Sequence, residues 1–139
     1  MKELLLALSV WAAAATGLPM KPPPDVVFLD RESLNGIVFE DRAAPSGMQG
    51  QAFYEDGRVF LRSDWRADDI ADVSTLVHEL VHWLQDGVER PATCRGDSER
   101  QAYEAQMKFL GAAGLDPYAT INVSRLGLFL LTTCWERSQ

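Results

Sequence analysis

The sequence predicts an α+β domain, and three observations predict it. β-branched and aromatic runs crowd the first half, helical periodicity takes over at Asp68, and nothing repeats internally. The expected architecture is a small N-terminal antiparallel or mixed sheet followed by three helices. At 139 residues, 47% hydrophobic and 24% charged, the chain can bury the core of one domain.

"DVVFLD" (Asp25 to Asp30) and "GIVFE" (Gly36 to Glu40) read as strands from their β-branched and aromatic content, with Asn35-Gly36 as a turn before the second. "RAAPSGMQG" is a loop by its Pro and Gly. "QAFYEDGRVFLR" predicts a hairpin, because Asp56-Gly57 between two strand-like runs favours a type I′ turn. From Asp68, the residues Ile70, Val73, Val77, Leu80, Val81 and Leu84 recur at helical spacing. Asp68 or Asp69 can cap that helix, and Gly87 can end it in the left-handed conformation. After the loop "VERPATCRG" a second helix is expected from Asp97 or Ser98, with a Ser98 to Gln101 capping box, ending by Gly114. A third starts with Asp116 as cap and Pro117 at the first helical position, and continues through "YATINVSRLGLFLLTTC".

The segment "MKELLLALSVWAAAATGLPMKPPP" has one lysine, an apolar run from Leu4 to Ala15 and small residues at its end. That layout predicts a signal peptide over residues 1–19, cleaved between Thr16 and Met20, with a stiff Pro-rich linker over 20–24 and the domain proper over 25–139. Export to the periplasm or medium is expected. The alternatives are a membrane tether formed by the uncleaved segment and an N-terminal helix that is simply buried. In an exported chain the only two cysteines, Cys94 and Cys134, favour a bridge, with free thiols or Cys94 as a metal ligand as the alternatives. Thirteen basic residues against 20 acidic ones give a net charge of −7, with the arginines scattered, so nucleic acid and anionic membranes are not expected partners.

The chemistry concentrates in "STLVHELVHWLQDG", which holds the chain's only two histidines. On a helix, His78 and His82 lie one above the other and can present two imidazoles to one ion, while Glu79 projects from the adjacent side. Zinc held by two such nitrogens keeps a water and lowers its pKa to about 7, and the glutamate removes the proton. A bland pair of histidines on an amphipathic helix is the competing reading. A catalytic zinc needs a third protein ligand. The extended H-E-x-x-H-x-x-G-x-x-H pattern fails here, with Gln85 at its glycine and Val88 at its histidine. The ligand is therefore Glu, Asp or Cys. Glu99 is the first candidate, sharing a helical face with Ala102, Tyr103 and Gln106 while Glu104 points elsewhere. Its alternative role is that of a helix-dipole residue. Asp97 and Cys94 are weaker candidates.

Residues Leu76 to Gln85 with Glu99 to Gln106 resemble the gluzincin zinc metallopeptidases, in which an H-E-x-x-H helix is followed by a second helix that donates a glutamate. More closely, the chain is similar to small bacterial single-domain proteins with this motif. The resemblance implies a minimal zincin-like architecture without the second subdomain of larger members. It also implies that the strand "RVFLR" lies along the substrate cleft, and that the activity is hydrolysis of peptide bonds in peptides or proteins. Larger members use a tyrosine or histidine at the oxyanion, which leaves Tyr54, Tyr103 and Tyr118 as candidates. Trp65 and Trp83 read as packing residues, although Trp83 can also line the site. The function expected is zinc-dependent peptide hydrolysis with His78, His82 and Glu99 as ligands and Glu79 as base. The alternatives are a catalytically silent zinc-binding or regulatory module and an interaction domain without metal.

Overall fold

The computed structural model describes residues 1–38, 52–88 and 95–134. Within them the order is α1 (Lys2–Thr16), β1 (Asp25–Leu29), α2 (Arg31–Val38), β2 (Ala52–Glu55), β3 (Arg58–Arg62), α3 (Ile70–Gln85), α4 (Arg95–Ala112), α5 (Pro117–Ile121) and α6 (Arg125–Leu131). The fold is α+β, with a three-stranded mixed sheet. The loop 42–50, most of "VERPATCRG" and Cys94 lie outside the described residues.

The hairpin forms where Asp56-Gly57 predicts it. Asp56 has φ 50° and Gly57 φ 78°, the paired positive values that a type I′ turn requires. It joins β2 to β3 antiparallel, with Phe53 opposite Phe60. β1 lies parallel on the other edge of β3, Val27 opposite Phe60, so β3 is the central strand. Its position explains its burial: Val59 and Leu61 are fully buried on one face and Phe60 nearly so on the other.

"GIVFE" is not a strand. Residues 36–38 close α2, and residues 39–40 lie outside the described part. The Asp30 side chain accepts from the Ser33 backbone N–H at 2.8 Å, and Leu34 from that turn is fully buried, so α2 packs on β2 and β3. A cap and one anchoring leucine thus override the strand propensity of Ile37 and Val38.

α3 is the centre of the molecule. Asp69 caps it, accepting from the Ala71 and Asp72 backbone N–H groups at 2.9 and 3.3 Å. Leu76, Val77, Leu80, Val81 and Leu84 are all fully buried. The helix ends on Asp86 in an extended conformation, followed by Gly87 at φ 81°. The Lys21 ammonium donates to the last carbonyls, Trp83 O at 2.8 Å and Asp86 O at 2.9 Å. It also lies 4.5 Å over the Trp83 ring, so Trp83 is a packing residue of the core, as is Trp65, whose Nε1 donates to Asp72 O at 2.6 Å.

α4 begins two to three residues before the expected Asp97 or Ser98, so Ser98 stands inside the helix and forms no capping box with Gln101. The predicted third helix is broken in two. Asn122 adopts φ 56° at the end of α5, and the Ser124 hydroxyl restarts the helix by accepting from Gly127 N at 2.9 Å. α6 then returns to the start of α4. A Cβ on Gly96 would lie 2.6 Å from the Thr133 carbonyl oxygen, so only glycine allows that approach. Cys134, just beyond, is disulfide-bonded. Since the chain has two cysteines, denatured, unreduced protein should show no free thiol in a thiol count.

The apolar N-terminal segment is α1. Its Leu5, Leu8 and Ala12 belong to the core cluster and pack against α3 and α4, and Trp11 meets Phe109 edge-on at 5.4 Å. The strands-then-three-helices order therefore gains a helix before the sheet, one within it, and an extra break after α4.

Candidate metal centre

The site lies in the seam between α3 and α4. On α3, Ser74, His78, His82 and Gln85 form one polar stripe at intervals of four, four and three residues, the spacing of one helix face. On α4 the facing stripe is Glu99, Tyr103 and Gln106. Ser74 meets Gln106 at one end and Gln85 meets Ser98 at the other, so the helices run antiparallel. That pairing brings Glu99, near the start of α4, opposite the two imidazoles near the end of α3.

His82 Nε2 is 2.6 Å from Glu99 Oε1, and His78 Nε2 is 3.4 Å from Glu99 Oε2. One donor atom from each of the three residues lies within 4.8 Å of the others. Two imidazole nitrogens and a carboxylate oxygen, converging from a half-buried position, are a donor set for a divalent ion. Gln106 Oε1 lies 2.9 Å from His78 Nδ1, and Gln85 Oε1 lies 2.9 Å from His82 Nδ1. Both histidines thus turn Nδ1 away from Glu99 and Nε2 toward it. The sequence placed Gln106 on the right face and noted Gln85 only as a departure from another pattern; their partnership with the histidines depends on the α3/α4 register.

Glu79 is 9% exposed and lines the same cleft. Its helix packs against β2, whose Ala52, Phe53 and Tyr54 line the same cleft. The cleft encloses about 660 Å³, with Ala52, Phe53 and Tyr54 on one side, Tyr103 and Leu131 among the other lining residues. The strand along it is therefore β2 and not "RVFLR", because β3 is buried as the central strand.

The tyrosine candidates separate. The Tyr54 hydroxyl is engaged by Asp86 Oδ2 and the Gly57 N–H. Burial, then that Asp86 contact, push it up to about 12. Tyr118 sits on α5 with the Arg125 guanidinium 4.4 Å over its ring and is not among the cleft residues. Tyr103 stands edge-on to His78 at 4.4 Å, and its hydroxyl has no hydrogen bond among the described residues. Burial, then the Glu99 and Glu79 charges, push it up to about 12, so it remains a proton donor. The weaker ligand candidate Asp97 faces elsewhere, 3.6 Å from Arg100 and 3.2 Å from Cys134 Sγ.

The charges predict opposite pH trends for the ion-free fold and for ion binding. Burial alone would lower His82, but the Glu99 hydrogen bond and the Glu79 and Glu99 charges outweigh it and raise His82 above 6.5. Burial raises Glu79 above 4.5, with the His78 and His82 charges offsetting only part. Burial would also raise Glu99, yet the His78 and His82 hydrogen bonds and charges hold it well below 4.5. Raised groups contribute stability below their unfolded values and lose it as pH rises through the folded ones. Glu99, lowered, contributes above 4.5 and does not vary near neutrality. Between about pH 6 and pH 8 the ion-free protein is therefore expected to lose stability. Ion affinity should rise over the same range, because binding requires His82 to shed its proton. Melting temperatures of chelator-stripped protein, with ion titrations at both pH values, check both signs.

Fold and site together define an α+β domain built around a cluster of two histidines and one glutamate that can hold a metal ion. The model of a family described as "Domain of unknown function (DUF6647)" matches residues 1–139, and the chain belongs to that family. No curated protein and no solved structure matches it.

Proposed function

We propose that the protein is a zinc-dependent peptidase that hydrolyses peptide bonds with Glu79 as general base. The observation that carries this reading is the position of Glu79. It lies beside the His78, His82 and Glu99 donor set, in the same cleft, buried but not needed as a ligand. A site that served only to bind an ion would need no base there and would close its fourth position with protein.

His78, His82 and Glu99 would hold a zinc ion, which when bound would supply Lewis acidity. Glu79 accepts the proton of the attacking water on its carboxylate. The same carboxyl then delivers that proton to the leaving amine. The Tyr103 hydroxyl, free of partners among the described residues, donates to the oxygen on which charge develops. β2 is an edge of the described sheet and borders the cleft, so an extended peptide can align along it. The resemblance to gluzincins supports the same assignment.

We also propose that the protein works in an exported, oxidising compartment, a reading supported by the disulfide at Cys134. No helix among the described residues is long and apolar enough to cross a membrane. The function is tested by metal analysis of purified protein and by digestion of a mixed peptide library with wild type and Glu79→Gln. Chelator-sensitive cleavage that disappears in the variant is expected. A zinc-loaded wild type that cuts nothing would leave the silent binding module as the function.

A further inference from the structure

The two glutamines of the seam determine which nitrogen of each histidine is free. The Ser74 hydroxyl donates to Ala71 O at 2.7 Å, so toward Gln106 it can only accept. Gln106 Nε2 is 3.1 Å from that oxygen and must therefore be the amide end facing Ser74. Its Oε1 is left facing His78 Nδ1 at 2.9 Å, and an amide oxygen can only accept, so His78 carries a proton on Nδ1. The same reasoning holds at the other histidine. Gln85 Nε2 lies 3.0 Å from the Ser98 backbone carbonyl, which accepts only, and its Oε1 lies 2.9 Å from His82 Nδ1. Gln85 Nε2 also lies 2.9 Å from Gln101 Oε1.

These contacts are placed to be rigid. Ser74 is fully buried and Gln106 is 4% exposed, so water does not compete for them. Gln85 starts from the turn after His82 and ends on the backbone one residue before Glu99, so it sets the position of the third donor as well as the orientation of the second. Both carboxamides are neutral. An aspartate or glutamate behind a ligand imidazole makes that imidazole more basic, whereas an amide oxygen fixes its orientation without adding charge.

We propose that Gln85 and Gln106 are the positioning residues of this centre, two neutral carboxamides that hold both histidines by Nδ1–H and so turn both Nε2 lone pairs toward one divalent ion. The inference rests on the ion-binding part of the proposed function and is independent of peptide hydrolysis.

The test has two measurements. Long-range imidazole ¹⁵N–¹H spectra of the ion-free wild type report the tautomer of His78 directly. A proton on Nδ1 is expected, alone or with a second one on Nε2 facing Glu99, and a neutral ring protonated only on Nε2 would overturn the proposal without any variant having to fold. Zinc affinity, measured by competition with a chromogenic chelator, is then compared among wild type, Gln106→Leu, Gln106→Glu and Gln85→Leu. Each leucine variant should bind about 10- to 100-fold more weakly. Gln106→Glu, which restores an acceptor, should bind at least as tightly as wild type even where its ion-free melting temperature falls. A purely structural seam would instead give affinities that follow the melting temperatures, with the glutamate variant no better than the leucine one, and that result would overturn the proposal. Should wild type bind no zinc at all, the metal reading fails, and the tautomer of His78 still decides the orientation argued here.

Discussion

Glu99→Ala is expected to weaken zinc binding by orders of magnitude while leaving the fold in place. Glu99 is the only carboxylate among the described residues that touches both imidazoles, at 2.6 and 3.4 Å, and losing one of three protein ligands leaves a pair of histidines too few to hold a catalytic ion. If the residue only complemented the helix dipole, its removal would cost at most about 1 kcal/mol and spare the ion. The observed start of α4 at Arg95 already weakens that role, because it places Glu99 beyond the first turn, where the dipole effect fades. Glu104→Ala, on the exposed side of the same helix, should leave affinity unchanged, as should Asp97→Ala. Binding curves for the three variants assign the ligand. A large loss at Asp97 with none at Glu99 would sink the donor set described here.

Glu79→Gln should bind zinc as wild type does and lose about 10²- to 10⁴-fold in turnover, the usual contribution of a positioned acid–base group. Glutamine keeps the shape, but it cannot take a proton from water. The same change removes a buried charge, so the ion-free variant is expected to melt higher than ion-free wild type above neutral pH. Zinc content, turnover on the library and melting temperature separate the two effects. Unchanged turnover would mean that Glu79 is not the base.

Some of this site was legible because the helix itself enforces it. His78, Glu79 and His82 hold their mutual positions through α-helical spacing alone, and Asp69 and Asp56-Gly57 carry their own local signals, a cap and a turn. Glu99 could be placed on the correct face of the next helix, but its distance to the histidines depends on an antiparallel register that no local pattern states. The carboxamides are harder still, since glutamine is ordinary on any helix and only the α3/α4 pairing gives Gln85 and Gln106 their histidines. In the fold, Ile37 and Val38 favoured a strand, yet Asp30 and the buried Leu34 made a helix. Asn122 and Ser124 broke a helix whose apolar periodicity ran straight through them. A run such as Leu4 to Ala15 has the same composition whether a membrane channel or a protein core receives it, so its packing against α3 and α4 could not be read from it.

That packing sets processing against durability. Leu5 and Leu8 are 6% and 5% exposed, and burying each leucine contributes about 1.5–3 kcal/mol, with Ala12 and the Trp11–Phe109 contact adding to the sum. A domain's whole margin is only about 5–15 kcal/mol. A cut after Thr16 would therefore do more than trim an address label. It would release a buttress from the back of the two helices that carry the metal donors, and open an apolar trench along them. The chain that keeps Met1 to Thr16 is accordingly the sturdier fold, and any leader peptidase acting there would be trading the lifetime of that fold for its delivery.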